Sequence, residues 1–83
     1  MSTNDFVIDE TVLAYHGSCI YSAKIVRTQP QPTGESLFFV HYLGWNKKWD
    51  EWLPASRVLK DTETNRNFMK VRYIYIYSLY LLI

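Results

Sequence analysis

The sequence predicts a mainly β fold: a small barrel or curled sheet with a C-terminal α-helix. Short runs rich in Val, Ile, Tyr, Phe and Trp recur at close spacing, with Gly, Pro, Asn and Asp between them. The stretch Phe38 to Pro54 holds all three tryptophans, Trp45, Trp49 and Trp52, and folds back on itself at Gly44 and Asn46-Lys47-Lys48, as a β-hairpin does. After the last strand-like run, Asp61 or Thr62 offers an N-cap to a helix over Thr62 to Lys70.

In chain order, residues 1–5 are polar and acidic and read as a disordered N-terminal tail, not a signal peptide. Phe6 to Ile8 begins the fold, and Asp9-Glu10 turns it. Thr11 to His16 is the first strand, ended by Gly17-Ser18. Ile20 to Thr28 is the second, with Tyr21, Ala23 and Ile25 on one face and Ile20, Ser22, Lys24 and Val26 on the other, because strand side chains alternate. Gln29 to Glu35 reads as a loop: Pro30 and Pro32 lack ladder donors, and Gly34 accepts a positive φ. Leu37 to Tyr42 is the third strand, Trp49 to Leu53 the fourth, and Arg57 to Lys60 a short closing strand.

The parity of the hairpin separates its tryptophans. Trp49 and Trp52 are an odd number apart, so on one regular strand they face opposite sides. One packs inward, and spacing alone leaves open which. Trp45 stands at the loop entrance, where a large ring needs cover; it reads either as a lid on a small core or as part of a surface aromatic site.

Eighty-three residues make one domain at most. A chain this short buries only about 60% of its unfolded surface, so each aromatic counts. A net charge of +1 provides no global field to steer nucleic acid, although Lys47-Lys48 is a local basic pair. Cys19 is the single cysteine, which excludes an intrachain disulfide and a cysteine-based zinc site, and His16 and His41 lack metal-ligand company. Neither a metal nor a cofactor is expected. A reducing, intracellular compartment fits. Ser18 and Cys19 beside His16 have no orienting acid or oxyanion motif, so no catalytic residue is assigned.

Residues 71–83 form an atypical hydrophobic tail in which Tyr and Ile alternate over Tyr73 to Tyr77. Thirteen residues fall short of the roughly 20 that a membrane-spanning helix needs, so no membrane association is expected. The tail either adds to a sheet edge or extends the terminal helix. Its Tyr-Ile alternation is also what a translated TA tract encodes, and Lys70-Val71 is compatible with a splice-donor junction; intron read-through after Lys70 is a hypothesis that the genomic sequence tests.

Aromatic rings gathered around one point attract a quaternary ammonium through their quadrupoles, with apolar contact to its methyl groups. Asp50 and Glu51 lie beside the aromatic stretch as acceptors for a lower methylation state, but spacing alone leaves open which of them faces the rings.

Ala14-Tyr15-His16-Gly17, Tyr21-Ser22-Ala23-Lys24, the run from Val40 to Pro54 and Ser56 to Lys60 together resemble the chromo-barrel domain of MRG-family chromatin proteins. The resemblance covers about residues 6–70. It implies a curled, five-stranded, SH3/Tudor-like barrel with a C-terminal helix. It also implies a methyl-lysine cage formed by His16, Tyr21, Tyr42, Trp45 and Trp49, with Trp52 the inward-facing partner of Trp49. The implied partner is the methylated histone H3 tail, with trimethylated lysine thirty-six as the mark, in a nuclear, monomeric reader tied to histone acetyltransferase and deacetylase complexes. The family's second, helical MRG domain is expected to be absent from this chain, which puts recruitment of those complexes in doubt. Two other readings compete: RNA or DNA binding through exposed aromatics and Lys47-Lys48, opposed by the neutral charge balance, and a structural protein-interaction barrel.

Overall fold

The computed structural model describes residues 5–82. Its strands are β1 (Thr11–His16), β2 (Cys19–Pro30), β3 (Ser36–Tyr42), β4 (Glu51–Pro54) and β5 (Val58–Lys60), followed by the helix α1 (Glu63–Leu82). The strands pair antiparallel in the order β4-β3-β2-β1-β5. Two single turns of 3-10 helix, Lys47–Trp49 and Ala55–Arg57, flank β4.

Alternation builds the core. Val12 and Ala14 of β1 face Ala23 and Ile25 of β2, Phe38, Val40 and Tyr42 of β3, Leu53 of β4 and Val58 of β5. Phe6 closes this cluster with its ring edge-on to Phe38, centroids 5.2 Å apart. Leu13 and Ile20 are also buried, on the opposite face of the β1–β2 pair. A register shift between Ile25 and Arg27 bends β2, which lets one long strand curl around the cluster.

β1 and β2 join through a two-residue turn, with His16 paired to Cys19 and Gly17 at a φ of 62° that favours glycine. The next connection is shorter than the sequence suggested. β2 continues through Gln29 and Pro30, which pair with Leu37 and Ser36, so the turn is confined to residues 31–35. Pro30 is tolerated because it ends the ladder.

Trp52 departs from expectation: it does not enter the core. Register pairs it with Phe39 on the outer face, ring centroids 5.1 Å apart, and it remains 40% exposed. The inward position on β4 is Leu53, paired with buried Phe38. β4 begins at Glu51, and Trp49 lies in the preceding 3-10 turn, so the parity between Trp49 and Trp52 does not operate.

Thr62 caps α1, its hydroxyl accepting from the Asn65 amide at 3.1 Å, and Arg66 forks onto Asp61. The helix continues without a break through the hydrophobic tail as far as Leu82. Arg72 fastens it to the barrel: its Nε donates to the Ser18 carbonyl at 2.6 Å, and its guanidinium lies 5.6 Å from the Tyr15 ring. Between α1 and β2 runs an apolar groove of about 490 Å³ lined by Ile20, Tyr21, Ser22, Met69, Tyr73 and Ile74. Beyond it α1 exposes Tyr75, Tyr77, Leu79, Tyr80 and Leu81. No helix among the described residues is long and apolar enough to cross a membrane. Of the N-terminal residues expected to fray, 1–4 lie outside the described residues, and the Asp5 carbonyl accepts from Lys60 Nζ at 2.8 Å.

Candidate functional site

His16, Tyr21, Tyr42, Trp45 and Trp49 converge at one end of the barrel. His16 ends β1, Tyr21 lies near the start of β2 and Tyr42 ends β3. The β3–β4 connection supplies the indoles. Gly44, at a φ of 83°, reverses the chain, and the Trp45 amide donates to the Tyr42 carbonyl at 3.1 Å. The Asn46 side chain accepts from the Lys48 amide at 2.9 Å and starts the 3-10 turn that presents Trp49.

Trp45 is the hub. Its ring centroid lies 4.8 Å from Tyr21, 4.9 Å from Tyr42, 5.2 Å from His16 and 6.1 Å from Trp49. His16 joins Tyr42 to Trp49 at 5.3 and 5.8 Å. Most of these contacts are edge-to-face, the arrangement that ring quadrupoles favour. Burial grades across the cluster: Tyr42 is fully buried, Trp45 and Tyr21 are half-buried against the core, and Trp49 is 46% exposed. Trp45 thus both covers the core and stands at the centre of the ring cluster. Lys48 Nζ lies 5.6 Å from the Trp49 ring centroid.

A carboxylate fastens this cluster. Glu51 Oε2 accepts from the Tyr42 hydroxyl at 2.6 Å and from His16 Nδ1 at 2.9 Å, and the Tyr42 hydroxyl also lies 3.2 Å from the Tyr15 carbonyl. Burial and the adjoining carboxylate push the Tyr42 phenol far above its ordinary value, so it stays a neutral donor. Burial pushes Glu51 upward, but the hydrogen bonds from Tyr42 and His16 outweigh it and hold the carboxyl below its ordinary range. Burial, followed by its neighbour Cys19, raises the Tyr21 phenol as well.

Glu51 is the residue that sequence reasoning did not resolve. Alternation separates it from Asp50 but does not say which side each takes. Asp50 turns to the other side and accepts from His41 Nδ1 at 2.7 Å. Among the described residues, no group of three or more His, Cys, Asp or Glu side chains is arranged to hold a metal ion.

Residues 6–71 match the family model described as MSL3 chromodomain-like. The chain belongs to the MSL3 chromodomain-like family. Its members are binding modules and not enzymes. Among curated relatives, the chain is 55% identical over 56 residues to Protein MRG1 of Arabidopsis thaliana, a match covering 68% of this chain and 17% of that one. It is 48% identical over 60 residues to the NuA4 complex subunit EAF3 homolog of Drosophila melanogaster, covering 72% of this chain and 14% of that one. The chain therefore spans about a sixth of the length of these relatives. Among solved structures, the Drosophila MSL3 chromodomain superposes with a TM-score of 0.77 at 25% identity, covering 86% of this chain and 92% of that one. A structure titled Tbtudor superposes with a TM-score of 0.67 at 27% identity, over 70% of this chain and 98% of that one. This chromo-like domain thus has the five-stranded, Tudor-like barrel and C-terminal helix that the resemblance implied.

Proposed function

We propose that this chromo-like domain is a chromatin reader that grips a methylated lysine of the histone H3 tail, trimethylated lysine thirty-six, among His16, Tyr21, Tyr42, Trp45 and Trp49. The observation that carries the proposal is the five-ring cluster centred on Trp45, with buried Tyr42 at one end and exposed Trp49 at the other. A trimethylammonium has no N–H to donate and is poorly served by a carboxylate alone. Ring faces supply both a negative quadrupole and apolar contact, about 0.5–2 kcal/mol for each ring according to its desolvation. The choice of mark rests on the resemblance to MRG-family chromo-barrels. The names of relatives, a NuA4 complex subunit homolog and a chromatin modification-related protein, support a nuclear role in transcription regulation beside histone-modifying complexes.

Only one side chain is gripped and a disordered tail must be ordered, so the expected dissociation constant is roughly 10 μM to 1 mM. Calorimetric titration with trimethylated and unmethylated peptides of the same sequence tests the proposal. The trimethylated peptide binds, the unmethylated peptide binds at least about tenfold more weakly, and folded Trp49→Ala loses roughly tenfold. Equal binding of the two peptides by the native domain would overturn the cage.

A further inference from the structure

We infer that Glu51 is the specificity-determining and positioning residue of this site: its carboxylate ties the His16 and Tyr42 walls together and gives the cluster the negative charge that selects a cation over a neutral group of equal shape. The inference rests on the methyl-lysine reading above and extends it to a residue outside the ring set.

The geometry supports both roles. A single oxygen, Oε2, receives Tyr42 and His16, which come from the ends of β3 and β1. β4 supplies the carboxylate, so three strands are joined at one atom. Because that oxygen only accepts, Nδ1 of His16 carries the proton, which fixes the ring's tautomer and orientation. Tyr42 is likewise held by its hydroxyl, with the ring against Trp45. Glu51 therefore acts through these two rings as a positioning residue. The Glu51 side chain is 37% exposed and that of His16 34%, so the pair lies at the mouth of the site, where water screens it only partly. Removing the charge would leave ring quadrupoles alone to discriminate. Asp50, the adjacent carboxylate, is committed to His41 on the other side of the chain and supplies a charge-matched control.

The test pairs two peptides, one with trimethyl-lysine and one with its neutral tert-butyl isostere, against the native domain, Glu51→Gln and Asp50→Asn. Glutamine keeps the size of the side chain and an acceptor for Tyr42. Cooperative urea unfolding of each variant checks the fold first. If Glu51→Gln fails to fold, Glu51→Asp, which keeps the charge but retracts it by one methylene, takes its place. For Glu51→Gln the preference for the cation over its isostere falls by roughly three- to tenfold, while isostere binding changes by less than about twofold. For Glu51→Asp both peptides weaken, as the two walls lose their shared anchor, and a cation preference remains. Asp50→Asn leaves the preference unchanged. An unchanged preference in Glu51→Gln, an equal fall in Asp50→Asn, or an unweakened Glu51→Asp would overturn the assignment. Failure of the native domain to bind the trimethylated peptide is a separate result: it removes the cage reading itself.

Discussion

The three tryptophans are chemically alike and structurally unlike, and single substitutions separate them. Trp45 touches four rings and lies half-buried against the core, so Trp45→Ala removes a central contact and costs about 3–5 kcal/mol. Trp49 is nearly half exposed, and Trp49→Ala costs about 1 kcal/mol. Trp52 covers Phe39 on the outer face, where the Arg27 guanidinium also lies 5.5 Å from the Phe39 ring centroid, and Trp52→Ala costs about 1–2 kcal/mol. Leu53→Ala, at the buried neighbour, costs about 2–5 kcal/mol. Urea unfolding of the four variants checks the ranking; a Trp52→Ala loss as large as that of Leu53→Ala would contradict the outward placement. The resemblance supplied the five ring positions as a set, and the structure brings those rings together at one end of the barrel. The facing of Trp52 was not legible, because alternation counts positions only within one regular strand, and Trp49 sits in a 3-10 turn before β4 starts. The same limit hid Glu51: its neighbour Asp50 ends the turn, and only the folded turn decides which carboxylate meets His16.

At the scale of elements, composition located the strands well and their ends less well. Pro30 read as a loop residue because proline removes a ladder donor, yet at the end of β2 its missing donor is not needed. The hydrophobic tail had no single reading because Tyr-Ile alternation suits a strand, while continuity from a capped start suits a helix; in the structure it continues α1. No residue of α1 belongs to the core cluster, whose members come from Phe6 and the five strands. We propose that the folded unit ends near Lys70. Truncation after Lys70 should preserve a single cooperative melt and improve solubility, since it removes exposed Tyr75, Tyr77, Tyr80 and Leu81. It also removes the Arg72 contact with Ser18 and the Tyr73 and Ile74 wall of the groove beside Tyr21. A fall in melting temperature of about 4–8 °C, equivalent to about 1 kcal/mol for a domain of this size, is the expected cost. Calorimetry of the two lengths decides it: loss of the cooperative transition would make the distal helix an integral element.

For the molecule as a whole, carboxylates hold its parts together, and this sets its response to acid. Glu10 joins the N-terminal segment to β5 through Lys60, at 2.9 Å. Glu51 joins β4 to the ends of β1 and β3, and Asp61 braces the start of α1 through Arg66. Burial pushes Glu10 upward, but its hydrogen bonds with Lys60 and the Val7 amide prevail and leave it below its ordinary value of 4.5. Glu51 is also held below 4.5, and the Arg66 hydrogen bond holds Asp61 below 3.8. A carboxyl whose folded pKa is depressed binds fewer protons folded than unfolded. Its stabilisation is therefore fully present above the unfolded value and is lost as pH falls through the folded one. The urea midpoint should accordingly stay nearly level from about pH 7 to pH 5 as far as these groups are concerned, then drop below about pH 4.5. Glu51→Gln and Glu10→Gln each flatten that drop, because the substituted side chain no longer takes up a proton on unfolding. The effects of the two add, since the residues share no partner. A midpoint that fell between about pH 7 and pH 6 and was unaffected by either substitution would contradict the carboxylate account of the acid response.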